Sequence, residues 1–220
     1  MIDADARGGD AHFDMPRIIG GEFRSRMLFS PRDEKVSRPY SDRVKETVFN
    51  LLRGWFEGAR VLDLFAGVGT MGLEAVSRGA REVVLVERDR SIFRLLEQNI
   101  SNLGCGDRAR AILADALAPT TLMRISAPVE VVFLDPPYAM MEDESQRRRV
   151  LDQAARIAPI LARPGFLVMR SPIEPGTDAW RLPGLDGPET HQFGREMNVL
   201  LYSPVAEPSQ PHAPAARTLT

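Results

Sequence analysis

Cysteine is almost absent from this chain of 220 residues, and Cys105 is the only one. That excludes an internal disulfide and any cysteine-cluster metal site, and it fits a reducing cytoplasm. Histidine is nearly as scarce: His12, His191 and His212 fall at no metal-ligand spacing, so no metal is expected. No apolar run approaches the roughly 18–20 residues that a membrane helix needs, so no membrane partner is expected either. The first sixteen residues carry four Asp and no apolar block, which argues against a secretion or targeting peptide. There are no internal repeats. What is present, 44% hydrophobic and 26% charged residues, is the make-up of one globular domain of ordinary size, expected as a monomer.

The net charge of −2 hides an uneven distribution. From Arg17 to Lys45, eight basic residues (Arg17, Arg24, Arg26, Arg32, Lys35, Arg38, Arg43, Lys45) stand against four acidic ones. Such an excess suits phosphate binding, and it equally suits a solvated surface. Residues 1–15 are small, polar and acidic and residues 204–220 are rich in Pro and Ala, so both are expected as disordered tails. RIIGGEFRSRMLF (17–29) reads as two short strands around Gly20-Gly21, which makes residues 16–40 an expected β-hairpin extension. SDRVKETVFNLLRGWF (41–56) reads as a helix with Val44, Val48, Leu51 and Trp55 on its apolar face.

From there to residue 203 the pattern is regular. Apolar strands at 59–65, 82–87, 109–115, 129–135 and 165–171 alternate with helices at 70–79, 145–162 and one bearing Ile92, Leu95, Leu96, Asn99 and Leu103 on one side. A hairpin over 189–203 closes the chain. Near-continuous apolar strands separated by helices predict a mostly parallel, seven-stranded α/β sheet covered on both faces, Rossmann-like in type. Ligands of such sheets bind at the carboxyl ends of the strands. Four segments meet there: DLFAGVG, Glu87, Asp115 and DPPY.

In DLFAGVGTMG, Gly67, Gly69 and Gly72 spell G-x-G-x-x-G between strand and helix, and Glu87 follows Gly67 by twenty residues. The spacing suits a dinucleotide, and it suits any other adenosine-containing ligand. Asp63 stands inside the strand end, with Phe65 and Ala66 before the first glycine. A carboxylate there favours a ligand bearing an ammonium group over a pyrophosphate, which prefers bare backbone N–H groups. S-adenosylmethionine (SAM) is such a ligand.

DPPY, Asp135 to Tyr138, supplies a chemistry for that ligand. The lone pair of a nucleobase amine is delocalised, so methylation requires the nitrogen to approach tetrahedral geometry. Acceptors fixed on its two N–H groups favour that state. Asp135 and the Pro136 carbonyl can be those acceptors, Pro136 and Pro137 stiffen them, and Tyr138 offers a face for a flipped-out base.

The motifs DLFAGVGTMG, Glu87, the AD of Asp115 and DPPY resemble, in order, those of SAM-dependent amino-group methyltransferases. More narrowly, RIIGGEFRSRML, RPYSDRVKETVFNLL and LDLFAGVGTMGLEAVSRGA resemble the RsmD-type bacterial methyltransferases, which modify the 2-amino group of a guanine in 16S ribosomal RNA. The similarity runs from about Arg17 to Tyr202. It implies a class I methyltransferase domain over 41–203, with Asp63, Phe65, Ala66, Gly67 and Gly69 lining the SAM pocket. It further implies Glu87 on the ribose, Asp115 and Ala116 by the adenine, and Asp135, Pro136, Pro137 and Tyr138 holding the guanine. With no room for a separate RNA-binding domain, Arg24, Arg26 and Arg38 become the first candidates for docking phosphates, and Arg147, Arg148 and Arg149 the second. The partner implied is 16S rRNA in a 30S subunit or assembly intermediate. A DNA adenine-N6 or cytosine-N4 methyltransferase also uses DPPY. An NAD-dependent oxidoreductase satisfies the glycines alone, and a non-catalytic RNA-binding module satisfies the basic segment alone.

Overall fold

The structure, a computed structural model, describes residues 15–31, 42–176, 178–194 and 197–206. The apolar runs become strands β1 (Arg60–Leu64), β2 (Glu82–Glu87), β3 (Ala109–Leu113), β4 (Val129–Leu134), β5 (Leu161–Ser171), β6 (Leu185–Phe193) and β7 (Met197–Pro204). They form one sheet in the order β3-β2-β1-β4-β5-β7-β6. The first five are parallel, and β7 runs antiparallel to both β5 and β6. The chain steps outward from β1 to β3, then returns to β4 on the other side of β1. The crevice between β1 and β4 is therefore the topological switch point, where such sheets bind their ligands.

Alternate strand residues go to opposite faces. Val61, Val83, Leu85, Val131, Phe133, Val168 and Val199 enter one core layer, and Leu62, Val84, Val86, Val132, Leu134, Leu167 and Leu200 enter the other. The first layer is covered by α1 (Asp42–Leu51), α2 (Gly72–Ser77), α3 (Arg90–Leu103) and the N-terminal segment. The second is covered by α4 (Pro119–Leu122), α5 (Tyr138–Glu142) and α6 (Glu144–Ile157). Helix α3 is stopped cleanly at both ends. The Asp89 carboxylate accepts from Ser91 N at 2.7 Å and Ile92 N at 3.1 Å, and Gly104 closes the helix at φ +68°.

Several expectations need correction. The hairpin over 17–29 forms a single isolated bridge, Arg17 with Met27, around a turn rather than two strands. Three backbone bonds still cross it, Ile18 N to the Arg26 carbonyl at 2.9 Å, and Ser25 N to Ile18 and Leu28 N to Pro16, both at 2.8 Å, while other backbone groups turn outward to α2 and α3. Gly20 N and Ile19 N donate to the Glu74 carboxylate at 2.9 and 2.8 Å, and Glu22 N donates to the Ser77 carbonyl at 2.7 Å. A side chain on Gly21 would strike that carbonyl, since its Cβ would stand 1.8 Å from the oxygen.

Helix α1 ends at Leu51 rather than Phe56, and its buried face is rotated from the expected one. Val44, Lys45, Val48 and Phe49 are buried, whereas Leu51 is 41% exposed. Lys45 turns inward because Glu74, fully buried on α2, lies 3.6 Å from its ammonium, and the Arg17 carbonyl accepts a further bond from it. Burial pushes the Lys45 pKa down and the Glu74 charge opposes that fall. Such a pair fixes a docking arrangement more than it adds stability, and breaking it by removing one partner costs about 3–5 kcal/mol.

At the other end of the chain, β7 runs through Pro204, which pairs with Leu185, so residue 204 belongs to the sheet and not to the expected tail. Residues 1–14 and 207–220, and Arg38 with the 32–41 stretch, lie outside the described residues. Among the described residues no helix is long and apolar enough to cross a membrane.

Candidate functional site

Strand register decides which side chains meet at the switch point. Leu64 pairs with Val86 on one side and with Leu134 on the other, and Leu134 pairs with Met169. One residue further along each strand, Glu87, Phe65, Asp135 and Arg170 therefore stand in one row across four strands. Three of the four were expected at the site. Arg170 was not.

The loop after β1 is built on backbone conformations that side chains disfavour. Gly67 and Gly69 have φ of +56° and +93°, and Phe65, with a bulky side chain, sits at +64°. A non-glycine residue there costs on the order of 1–3 kcal/mol and persists only where its surroundings over-determine it. Ala66 N donates to the Val86 carbonyl at 2.9 Å and Gly69 N to Ala66 at 2.8 Å. Glu87 holds the loop from the next strand. Its Oε2 accepts from Gly67 N at 3.0 Å, and its Oε1 accepts from Arg88 N and Asp89 N, both at 2.7 Å. Asn99 of α3 holds it from behind, donating to the Val68 carbonyl at 3.0 Å while pairing with both backbone groups of Phe29.

Asp63 lies beneath this loop and is 1% exposed. Its Oδ2 accepts from Gly72 N at 2.8 Å. Gly72 is required by packing, because a Cβ there would stand 2.7 Å from Leu85 and 3.0 Å from the Asp63 carboxylate. Burial pushes the Asp63 pKa up to about 8; the Gly72 N–H opposes the rise, and the charges of Asp135 and Glu87 add to it.

Asp115 lies two residues beyond β3. Its Oδ1 accepts from Leu117 N at 2.9 Å, an Asx turn that leads the chain toward α4. Its own carbonyl accepts from the Thr121 hydroxyl at 2.7 Å. Ala116 is buried, and its carbonyl accepts from Gln153 of α6 at 2.8 Å.

On the far side of the switch point, Asp135 follows the last residue of β4, Pro137 precedes α5, and Tyr138 is the first residue of that helix. Arg170 joins the two ends of the turn. Its Nε donates to Asp135 Oδ1 at 2.5 Å, and its guanidinium carbon lies 5.1 Å from the Tyr138 ring centroid. Burial raises the Asp135 pKa, and the Arg170 charge and hydrogen bond counter it.

Of the arginines expected to dock phosphates, Arg24 and Arg26 are exposed on the N-terminal turn, and Arg26 also donates to the Asn102 carbonyl at 2.8 Å. Arg147 donates to the Met141 carbonyl and Arg148 pairs with Asp152, contacts that serve α5 and α6. A separate cavity of about 430 Å³ between the start of β5 and the end of β7, lined by Arg163, Phe166 and Ser203 among others, lies at the opposite edge of the sheet. Sequence reading missed Arg170, the Asn99 bridge and the Glu74–Lys45 pair. The signal for Arg170 was available: it is the one charged residue in GFLVMRS, at the carboxyl end of a buried strand.

A parallel sheet reversed at β1/β4, with one antiparallel strand inserted next to its edge and a glycine turn answered by an acid on β2, is a Rossmann-like methyltransferase fold. The family model described as "Conserved hypothetical protein 95" matches residues 16–170. The chain belongs to that family, the RsmD family. It is 43% identical over 122 residues to "Ribosomal RNA small subunit methyltransferase D" of Escherichia coli, an alignment covering 56% of this chain and 60% of the relative. The chain thus spans about 60% of the length of that curated relative. YlbH of Bacillus subtilis is 33% identical over 153 residues, covering 69% of this chain and 80% of the relative. The solved structure of Escherichia coli yhhF superposes with a TM-score of 0.72 at 32% identity, covering 87% of this chain and 98% of that one.

Proposed function

We propose that the protein is a SAM-dependent methyltransferase that modifies the exocyclic N2 amine of a guanine in 16S ribosomal RNA, in the cytoplasm, within assembled or partly assembled 30S subunits. One observation carries this reading: the Asp135-Pro136-Pro137-Tyr138 turn stands in the same row as the strained glycine loop. An adenosine loop alone fits many cofactors, but a rigid acceptor turn beside it fits the methylation of an amine.

The residues present fit SAM. A Cβ on Gly67 would meet nothing within 4 Å, so the space over the loop is open to a ligand. Asp63 provides a carboxylate for an ammonium group, and Glu87 provides one for ribose hydroxyls. Bound there, SAM supplies a methyl group on a sulfonium, which an amine can take up. The chain's own work is to prepare that amine. Asp135 and the Pro136 carbonyl accept from its two N–H groups and favour the tetrahedral nitrogen as it gains positive charge. The ring of Tyr138 faces the base, and Arg24 and Arg26 meet phosphates. The name of the Escherichia coli relative supports a ribosomal RNA substrate.

The test is transfer of labelled methyl from SAM to 30S particles, protein-free 16S RNA and duplex DNA at one salt concentration, followed by digestion to nucleosides. The expected product is N2-methylguanosine, formed faster on particles than on free RNA. A small footprint neutralises few phosphates and binds bare RNA weakly, and an assembled particle can present an unpaired base at lower cost. Label on DNA adenine or cytosine would overturn the substrate. Equal rates on free RNA would overturn the particle preference.

A further inference from the structure

Arg170 has no task in the reaction as proposed. Its side chain is 7% exposed, and a guanidinium so placed needs a partner to offset its desolvation. Asp135 is one such partner, and it is held through Oδ1. Among the described residues, no hydrogen bond to Asp135 Oδ2 is formed. Guanidinium carries donors only, so it fixes which of the two oxygens remains for a substrate.

We propose that Arg170 is a positioning residue of this site: by holding one oxygen of Asp135 it presents the other oxygen, as an acceptor, to the amino group of the target base. The inference rests on the proposed amine methylation. Two consequences separate it from the simpler role of a buried pair tying β4 to β5.

The first is electrostatic. Around Asp135 stand Asp63 on β1, on the same sheet face, and Glu87 at the end of β2, which acts on Asp63. Both are acids. Arg170 on β5 is the cation that opposes the effect of burial on Asp135. Without it the carboxyl takes up a proton at higher pH and can offer a donor where an acceptor is needed.

The second consequence concerns asparagine. In Asp135→Asn, Arg170 claims the amide oxygen and turns the NH2 toward the base amine, donor against donor. Replacing Arg170 as well releases the amide to rotate its oxygen outward. A scaffold residue would instead add its own loss to that of Asp135→Asn.

The experiment has two arms on the full chain. In the first, carbon-13 carboxyl NMR follows the titration of Asp135, without substrate, in the parent protein, Arg170→Met and Arg170→Gln. The midpoint is expected to rise by about 1–3 pH units in both variants; the glutamine variant keeps a polar group should methionine disturb folding. An unmoved midpoint would overturn the proposal. In the second arm, methyl transfer is measured for Asp135→Asn, Arg170→Met and the double variant. The double variant is expected to exceed Asp135→Asn by about tenfold, as for directly coupled residues. A double variant no better than Asp135→Asn would overturn the orienting role. The titration needs no methyl transfer, so a raised midpoint in a protein that methylates no nucleic acid would sink the proposed reaction alone.

Discussion

On the β2–β3 side of the site, Glu87 and Asp115 accept hydrogen bonds from backbone N–H groups of the turns they enter, whereas on the β1–β4–β5 side Asp63, buried, and Asp135, half-buried, are shifted upward in pKa. The first arrangement costs little, because turn amides satisfy the charge and solvent reaches the rest. It suits recognition, where a carboxylate has to be in place before the ligand arrives. The second arrangement holds acids where their ionisation depends on neighbours: a glycine N–H and like charges for Asp63, an arginine for Asp135. It suits a group whose charge state answers to what binds beside it, since small changes in that environment alter what the group can accept or donate.

The largest effect should come from the chemical side. Asp135→Ala is expected to lower methyl transfer by about 10²–10³-fold, the usual scale for losing one positioned polar group, while SAM affinity stays near that of the parent. Steady-state rates and calorimetry read the two quantities separately. Near-normal turnover would erase the distinction between the halves, because the turn would then serve shape alone.

A smaller effect, of the opposite character, is expected at Glu87. Glu87→Ala should weaken SAM binding by roughly 1.5–3 kcal/mol, as for hydrogen bonds to a charged group. Turnover at saturating SAM should change far less than in Asp135→Ala. Unchanged affinity would mean that Glu87 serves only the N–H groups of Gly67, Arg88 and Asp89, and that the adenosine lies elsewhere.

The same contrast explains what could be read from the sequence. Some features rest on local chemistry: glycines for a turn and an acid at a strand end. Spacing along the chain reports such features directly, and the alternation of apolar strands with helices reports the sheet. The chemical side rests on partners far apart in sequence. Asp135 and Arg170 meet only because β4 and β5 pair in the register that sets Leu134 beside Met169. The N-terminal segment is similar. Its isoleucines and glycines look like strand and turn, yet the amides of Ile19 and Gly20 are taken by Glu74, some 55 residues away, so the pairing across the turn shrinks to one bridge. The rotated face of α1 has the same cause: a lysine in an amphipathic pattern reads as solvent-facing unless its buried carboxylate is known.

The finest separation of the two sides is by pH. With a pKa of about 8, Asp63 is largely protonated at neutral pH in the ligand-free protein. In the unfolded chain it ionises near 3.9, so the folded form holds the extra proton between these values. This group therefore favours folding at low pH and does so progressively less as pH rises from about 4 to about 8. An ammonium placed against it reverses the preference, because the charged carboxylate gains a partner. SAM binding should then release up to one proton, and affinity should rise with pH by at most about tenfold per unit. The slope is best read between about pH 6 and pH 7.5, since an α-amine begins to lose its own proton near 7.7–8.0. Calorimetry in buffers of differing ionisation heat counts the proton, and Asp63→Asn should flatten the slope while leaving the Glu87-dependent part of the affinity in place. If the parent protein binds SAM with no proton release across that range, Asp63 holds the Gly72 turn and nothing more, and the ammonium must be met by another group.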